Sequence, residues 1–238
     1  MRALDRKLLR DMKRLWAQSL AVALVMAAGV ATMLIGLGAY YSLSETRTAY
    51  YDRTQFADVF AFAVRAPKST AAEIRQINGV AQVETRIVKA ALLDIEGFEL
   101  PATGYFISLP ASGENTLNRL HLRSGRLPGP GSLREVAVSE SFAQAHGLQI
   151  GSTLDAVLNG AKRRLPITAV VLSAEFIYAL GPGDMMPDDR RFGIIWMREP
   201  ALAGAFDLEG AFNSVTLRLL KNAVMEDVFQ SLDNILER

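Results

Sequence analysis

Cysteine is absent from this chain of 238 residues, and histidine is scarce. Without thiols the chain can form no disulfide and offers no thiolate ligand to a metal. The two histidines, His121 and His146, are expected at the surface or at a helix end rather than in a catalytic site. The best acidic cluster, Asp184 with Asp188 and Asp189, lies among prolines and glycines and lacks the ligand spacing of an EF-hand. The sequence therefore predicts no catalytic, cofactor-binding or metal-binding residues.

A nucleotide-binding motif is also absent. No Gly-x-x-x-x-Gly-Lys-Ser/Thr sequence occurs, so the chain has no P-loop to hold the phosphates of ATP. The Gly-x-Ser-x-Gly elbow of hydrolases is missing as well. We predict a chain that is not an enzyme.

Charge is missing from residues 15–44, whereas residues 1–14 carry six basic and two acidic side chains. As a helix, residues 20–41 alone would span roughly 33 Å, enough to cross a hydrocarbon core of about 30 Å. A cleaved signal peptide has a shorter apolar core that ends in small residues, whereas Tyr40 and Tyr41 are bulky. An uncleaved transmembrane helix over residues 17–41 is therefore favoured, with its basic end in the cytoplasm.

Two further features of this amino-terminal region are predicted. Ala28, Thr32 and Gly36 recur at every fourth residue, so they share one face on which another transmembrane helix could pack. The alternative is that small residues are simply common in such helices. Residues 1–16 are expected to form an amphipathic helix on the cytoplasmic membrane surface, with its basic side toward anionic lipid. The basic residues are Arg6, Lys7, Arg10, Lys13 and Arg14.

The rest of the chain is predicted to be an α+β domain outside the membrane. It holds 20 of the 26 basic and 23 of the 25 acidic side chains, a net charge of −3 that gives no indication of nucleic-acid binding. Residues 42–55 continue the helical pattern as a stalk, and residues 56–238 form the domain itself. A chain of this size can bury a sizeable core.

Two subdomains are expected within this outer domain. A strand, a short helix and a second strand over residues 59–91, then a hairpin that turns at Glu96-Gly97, form a split β-α-β layer of the ferredoxin-like kind. A strand at residues 214–219 and the amphipathic helix after it pack back on this layer. The predicted subdomains are residues 56–108 with 211–238, and a smaller, mainly β subdomain at residues 109–210.

The second subdomain contains the clearest hairpin in the sequence. Asn159-Gly160 accepts the positive φ angles of a tight type I′ turn, and it joins strands at residues 153–158 and 163–171. Arg126 follows Gly125 in a turn-rich stretch. It is expected to hold the two subdomains together through carboxylates.

Several short motifs occur in a defined order: Gly125-Arg126, a strand at residues 135–140, a glycine-containing turn at residues 146–152, the hairpin, and the stretch 175–197. This order resembles the MacB-like periplasmic core domain of FtsX-like ABC transporter permeases. Those permeases similarly begin with a basic amphipathic helix and one transmembrane helix before an outer domain of about 200 residues. Ser152 departs from the family, which often has aspartate at this position.

The resemblance implies a permease subunit of the bacterial inner membrane. Such a subunit couples ATP hydrolysis by a separate ATPase, which binds the ATP and Mg, to movement of the periplasmic domain for lipoprotein release or substrate efflux. The implied partners are membrane lipid, the ATPase subunit, another permease protomer or half, and a periplasmic adaptor or lipoprotein.

The family places three more transmembrane helices after this domain, so the chain is expected to be the amino-terminal piece of a longer permease. An alternative needs no further helices: a single-pass, membrane-anchored protein whose outer domain binds a ligand or acts as a scaffold.

Overall fold

The computed structural model describes Lys7, Arg10, residues 14–95 and residues 102–236, and it consists of two units, Met1–Tyr50 and Tyr51–Arg238. Its elements in chain order are α1 (Trp16–Thr54), β1 (Val59–Pro67), α2 (Thr70–Arg75), β2 (Val80–Arg86), β3 (Val88–Asp94), β4 (Ala102–Leu109), β5 (His121–Gly125), β6 (Val136–Ser139), α3 (Glu140–Ala145), β7 (Thr153–Leu158), β8 (Ala161–Leu172), a 3-10 helix (Ala174–Phe176), β9 (Phe192–Arg198), α4 (Glu199–Phe206), β10 (Ala211–Leu219) and α5 (Met225–Leu236). The predicted fold class is confirmed: a long apolar helix precedes a β-rich α+β domain.

Helix α1 is 39 residues long, and its most apolar stretch of 18 residues has a mean hydropathy of 2.4. By length and composition it can cross a membrane. The helix continues without a break through the predicted stalk to Thr54 and ends before Gln55, which has a φ of 51°.

The two predicted surfaces of the amino-terminal region stay predictions. Arg6 and Lys13 lie outside the described residues, and Lys7, Arg10 and Arg14 are exposed. On α1, the hydroxyl of Thr32 donates to the carbonyl of Ala28 at 2.9 Å, so this side chain stays close to the helix backbone. A Cβ added at Gly36 would meet nothing within 4 Å.

The smaller of two sheets in the outer unit has the order β1-β10-β2, with both pairings antiparallel. Because β10 lies between β1 and β2, those two strands are parallel to each other and separated by one strand. This is the split β-α-β arrangement that the sequence predicts. Ile74 of α2 and Val228 and Leu232 of α5 are buried on one face of this sheet, so both helices cover that face.

The larger sheet has the order β5-β8-β6-β9-β4-β3-β7, and β7 also pairs with β8. Six of its strands therefore close into a ring. All seven residues of β9 are buried, because alternate side chains belong to two separate cores. Ile195 packs in one of them with Phe106 and Phe142, and Trp196 packs in the other.

The sequence places the boundary between the first and second subdomains at residues 108 and 109, and this position is wrong. The sequence predicts one continuous strand over residues 80–91, whereas the chain leaves the small sheet after Arg86 and enters the large one at Val88. The crossing is fixed by polar side chains: the backbone N–H of Ile87 donates to the Ser108 hydroxyl at 2.8 Å, and that of Val88 to the Asn213 amide oxygen at 2.8 Å. Strands β3 and β4 thus belong to the ring.

Strands β3 and β4 form an antiparallel pair with Leu93 opposite Ala102, and the turn predicted at Glu96-Gly97 lies outside the described residues. The hairpin of β7 and β8 turns at Asn159 and Gly160, whose φ angles are 49° and 81°. Both values are positive, as a type I′ turn requires.

Candidate functional site

A buried ion pair lies where the small sheet meets the rest of the outer unit. Arg86, the last residue of β2, donates from both terminal nitrogens to the carboxylate of Glu175 in the 3-10 helix, at 2.6 and 2.9 Å. The two side chains are 3% and 13% exposed. Such a bidentate pair fixes both the distance between the two side chains and their relative orientation.

The environment of Arg86 is otherwise only weakly polar. The Ser214 hydroxyl lies 3.5 Å from one terminal nitrogen, and the ring of Phe60 lies 5.9 Å from the guanidinium carbon. The Nε of Arg86 has no hydrogen-bond partner among the described residues. Glu175 is therefore the carboxylate that compensates this buried charge.

Asn118 shares the carboxylate of Glu175. Its side-chain nitrogen donates to Oε2 of Glu175 at 3.0 Å, and its side-chain oxygen accepts from the backbone N–H of Ala57 at 2.9 Å. Its own backbone N–H donates to the carbonyl of Gln55 at 3.0 Å. Asn118 is thus bound both to the segment that follows α1 and to the 3-10 helix.

The last turn of α1 is part of the outer unit. Asp52 pairs with Arg218 of β10 at 3.0 Å, and the ring of Tyr51 stacks on Phe56 with centroids 4.7 Å apart. The carbonyl of Thr54 accepts from the backbone N–H of Arg119 at 2.7 Å. These contacts attach the helix end to the middle strand of the small sheet and to the segment that contains Asn118.

Glu84 organises the same segment from β2. Its carboxylate accepts from the side-chain nitrogen of Asn115 at 2.7 Å, from the backbone and hydroxyl of Thr116 at 2.6 and 2.8 Å, and from the backbone of Leu117 at 3.0 Å. The residues just before Asn118 are therefore held against the small sheet.

Arg198, at the end of β9, holds two turn-rich segments. The residue is 4% exposed. Its guanidinium donates to the carbonyls of Pro128 at 2.7 Å and of Pro110 and Gly113 at 2.8 Å each. Burial lowers the pKa of Arg198, and nearby Glu114 opposes that shift. The cation satisfies three carbonyls where irregular backbone would otherwise lack donors.

An apolar cleft of about 400 Å³ opens beside Glu175. Among its lining residues are Tyr105, Phe176, Tyr178 and Phe192. Burial raises the pKa of Tyr105, Arg86 opposes the shift and Glu175 adds to it. Large apolar side chains are exposed along residues 177–186: Ile177, Tyr178, Leu180, Met185 and Met186. This surface is suited to apolar contact rather than to bond-making chemistry.

Arg126 does not hold the subdomains together, and this prediction is wrong. Its guanidinium, 64% exposed, binds the carboxylate of Glu135 in the same surface segment at 2.6 and 2.9 Å. Arg86 and Glu175 are among the residues that do connect the small sheet to the rest of the outer unit. Sequence reasoning missed them because charged residues usually face solvent, and nothing local marks Arg86 or Glu175 as buried.

We expect the carboxyl of Glu135 to titrate far below its usual range. Arg126 and the backbone N–H of Gly129 lower its pKa from 4.5 to about 2. Because the folded-state pKa is depressed, the stabilisation is present above about pH 4.5 and is lost as the pH falls toward 2. NMR titration of this carboxyl should show the depressed value, and Arg126→Ala should raise it. An equally low pKa in that variant would contradict the assignment.

Among the described residues, no group of three or more histidine, aspartate and glutamate side chains is placed to hold a metal. The Nε2 of His146 donates to the carbonyl of Arg190 at 2.8 Å, next to the ring of Phe142. Asp188 caps its own loop by accepting from the backbone N–H of Arg190 at 2.9 Å. These contacts are local structural ones.

Three solved structures that are similar to this chain come from transport proteins. The extracellular domain of the noncanonic ABC-type transporter YknZ from Gram-positive bacteria is 12% identical, with 75% of this chain and 91% of that one covered and a TM-score of 0.49. The periplasmic region of MacB from Actinobacillus actinomycetemcomitans is 13% identical, with 76% and 77% covered and a TM-score of 0.43.

A domain of a putative permease protein from Porphyromonas gingivalis is similar to this chain as well. It is 14% identical, with 78% of this chain and 71% of that one covered and a TM-score of 0.43. No family model matches the chain, and no curated protein matches it.

Proposed function

We propose that the chain is a permease subunit, or the amino-terminal piece of one, of an ABC transporter of the FtsX/MacB type. Helix α1 anchors it in the bacterial inner membrane with the amino terminus in the cytoplasm, and the outer unit lies in the periplasm. The basic residues before the helix contact anionic lipid. The chain itself carries out no bond-making step.

One observation carries this proposal: α1 runs unbroken from its apolar stretch to Thr54, and its last turn is bonded into the outer unit through Asp52 and Arg218. A flexible linker would be the usual connection between an anchor and a free binding module. A continuous helix of this kind supports the transmission of movement from the membrane to the outer unit.

The energy for this movement comes from a separate ATPase that holds ATP and Mg. A second permease protomer or half packs on the face formed by Ala28, Thr32 and Gly36. The outer unit acts on a lipoprotein or on a periplasmic adaptor, for lipoprotein release or substrate efflux. Movement of the whole unit, rather than catalysis within it, is the contribution of this chain.

Purification of the chain from its native membranes tests the proposal. We expect an affinity-tagged chain, extracted in mild detergent, to carry an ABC ATPase and a vanadate-sensitive ATPase activity. If the chain is abundant and folded but the sample has no such activity, the proposal fails. A single-pass scaffold or binding protein then accounts better for the sequence.

A proline in the stalk should uncouple the outer unit from the ATPase. Arg47 is exposed in the part of α1 that follows the apolar stretch, and Arg47→Pro removes a helix hydrogen bond and kinks the helix at a cost of about 3 kcal/mol. We expect ATP hydrolysis to continue while the nucleotide-dependent signal from a fluorophore on the outer unit is lost. Arg47→Ala is the matched control and should keep that signal. Equal signals in both variants would contradict a rigid stalk.

A further inference from the structure

We propose that Asn118 couples the end of α1 to residues 174–191, so that the loop with the exposed apolar side chains is held in place by the membrane helix. Asn118 acts as a positioning residue through Glu175. The functional meaning of this coupling rests on the proposed transport function, but the coupling itself is a property of the outer unit alone.

The orientation of the Asn118 amide is fixed by its two partners. The backbone N–H of Ala57 can only donate, so the atom that faces it must be the amide oxygen. The amide nitrogen then faces Glu175, whose carboxylate can only accept. One side chain therefore connects the first residues after α1 to the 3-10 helix, with no water required between them.

The backbone of Asn118 supports a specific role. Its φ is 49°, and the residue is only 3% exposed. Asparagine tolerates this left-handed conformation better than most residues, but a strained backbone in a buried position persists only where the surrounding contacts determine it. Here those contacts are the two hydrogen bonds of the side chain and the bond from the backbone N–H to Gln55.

Glu175 transmits this connection to the loop. Its Oε2 accepts from both Arg86 and Asn118, so the first turn of the segment is bound at the same time to β2 and to the segment after α1. The exposed apolar residues at 177–186 follow directly. A displacement of the end of α1 therefore alters the hydrogen bond from Asn118 to Glu175. This change in turn alters the position of residues 177–186.

Asn118→Asp is the sharpest test because it removes the hydrogen bond to Glu175 and keeps the one from Ala57. The retained oxygen still accepts from Ala57, whereas the new oxygen places a second carboxylate against Glu175. We expect amide hydrogen exchange of the full chain in detergent to become about tenfold faster, or more, in the protected amides of residues 174–192, since a bond to a charged group is lost. Protection at Ala57 should change less than twofold.

Asn115→Asp is the matched control. Asn115 donates its amide to the carboxylate of Glu84 at 2.7 Å, three residues before Asn118, so the substitution creates the same repulsion in the same segment. It has no bond to Glu175. We expect faster exchange around residues 113–118 and less than a twofold change at residues 174–192.

If Asn118→Asp does not fold, Asn118→Gly replaces it, because glycine accepts the positive φ and removes only the side-chain bonds. It should speed exchange at both Ala57 and residues 174–192. Unchanged exchange at residues 174–192 in a folded variant, or an equal effect of Asn115→Asp there, would overturn the coupling. Neither result contradicts the proposed transport function, because the ATPase activity that copurifies with the chain tests that function separately.

Discussion

Replacing Arg86 by alanine is expected to lower the free energy of unfolding of the outer unit by about 3–5 kcal/mol, since it leaves Glu175 charged and largely buried. The same change removes the bond that holds the 3-10 helix against β2. Denaturant unfolding can be followed by the fluorescence of Trp196, which is 2% exposed, in a Trp16→Phe background.

Two comparisons make this result specific. Arg123 pairs with Glu140 at 3.2 Å on the surface, so Arg123→Ala should cost about 1 kcal/mol or less. Glu175→Ala completes a double-mutant cycle with Arg86→Ala, and the double variant should be much less destabilised than the two single effects predict in sum. An Arg86→Ala cost no greater than that of Arg123→Ala would contradict the buried connection.

Gly125→Ala should also be severely destabilising, by about 3 kcal/mol or more. Gly125 ends β5 with a φ of 78°, and a Cβ there would overlap the backbone carbonyl oxygen of Thr168. That carbonyl accepts from the N–H of Arg126 at 2.8 Å and cannot move away without losing the bond. Thermal or denaturant unfolding of the full chain measures the effect.

Gly131→Ala is the matched control for this substitution. Gly131 has a φ of 76°, but a Cβ there would meet nothing within 4 Å, so only the conformational cost of about 1–2 kcal/mol applies. The difference between the two variants isolates the steric contact. Equal destabilisation would show that the close approach of Gly125 to Thr168 contributes nothing.

The elements predicted well from the sequence are those whose signals are local. The uncharged run predicts α1, and Asn159-Gly160 predicts the turn between β7 and β8. The apolar spacing of Val228 and Leu232 predicts the buried face of α5. Propensity, charge and periodicity act over a few residues, so a single sequence carries them.

The connections between the sheets could not be predicted in the same way. The crossing at Ile87 depends on hydrogen bonds that Ser108 and Asn213 accept, and these residues are 21 and 125 positions distant from their donors in the chain. Arg86 and Glu175 are 89 residues apart, and no local pattern pairs one with the other. Pairings of this kind follow from the packing of distant segments, and Arg126 seemed a better candidate only because a glycine precedes it.

The decisive measurement uses the absence of cysteine from these 238 residues, because one introduced thiol is then the single labelling site within them. Val64 of β1 is 92% exposed, so Val64→Cys can carry an environment-sensitive fluorophore on the outer unit. In the purified complex with its ATPase, the account predicts a change of emission when ATP and vanadate trap the nucleotide. Unchanged emission with the nucleotide demonstrably trapped would contradict the claim that the outer unit moves with ATP hydrolysis.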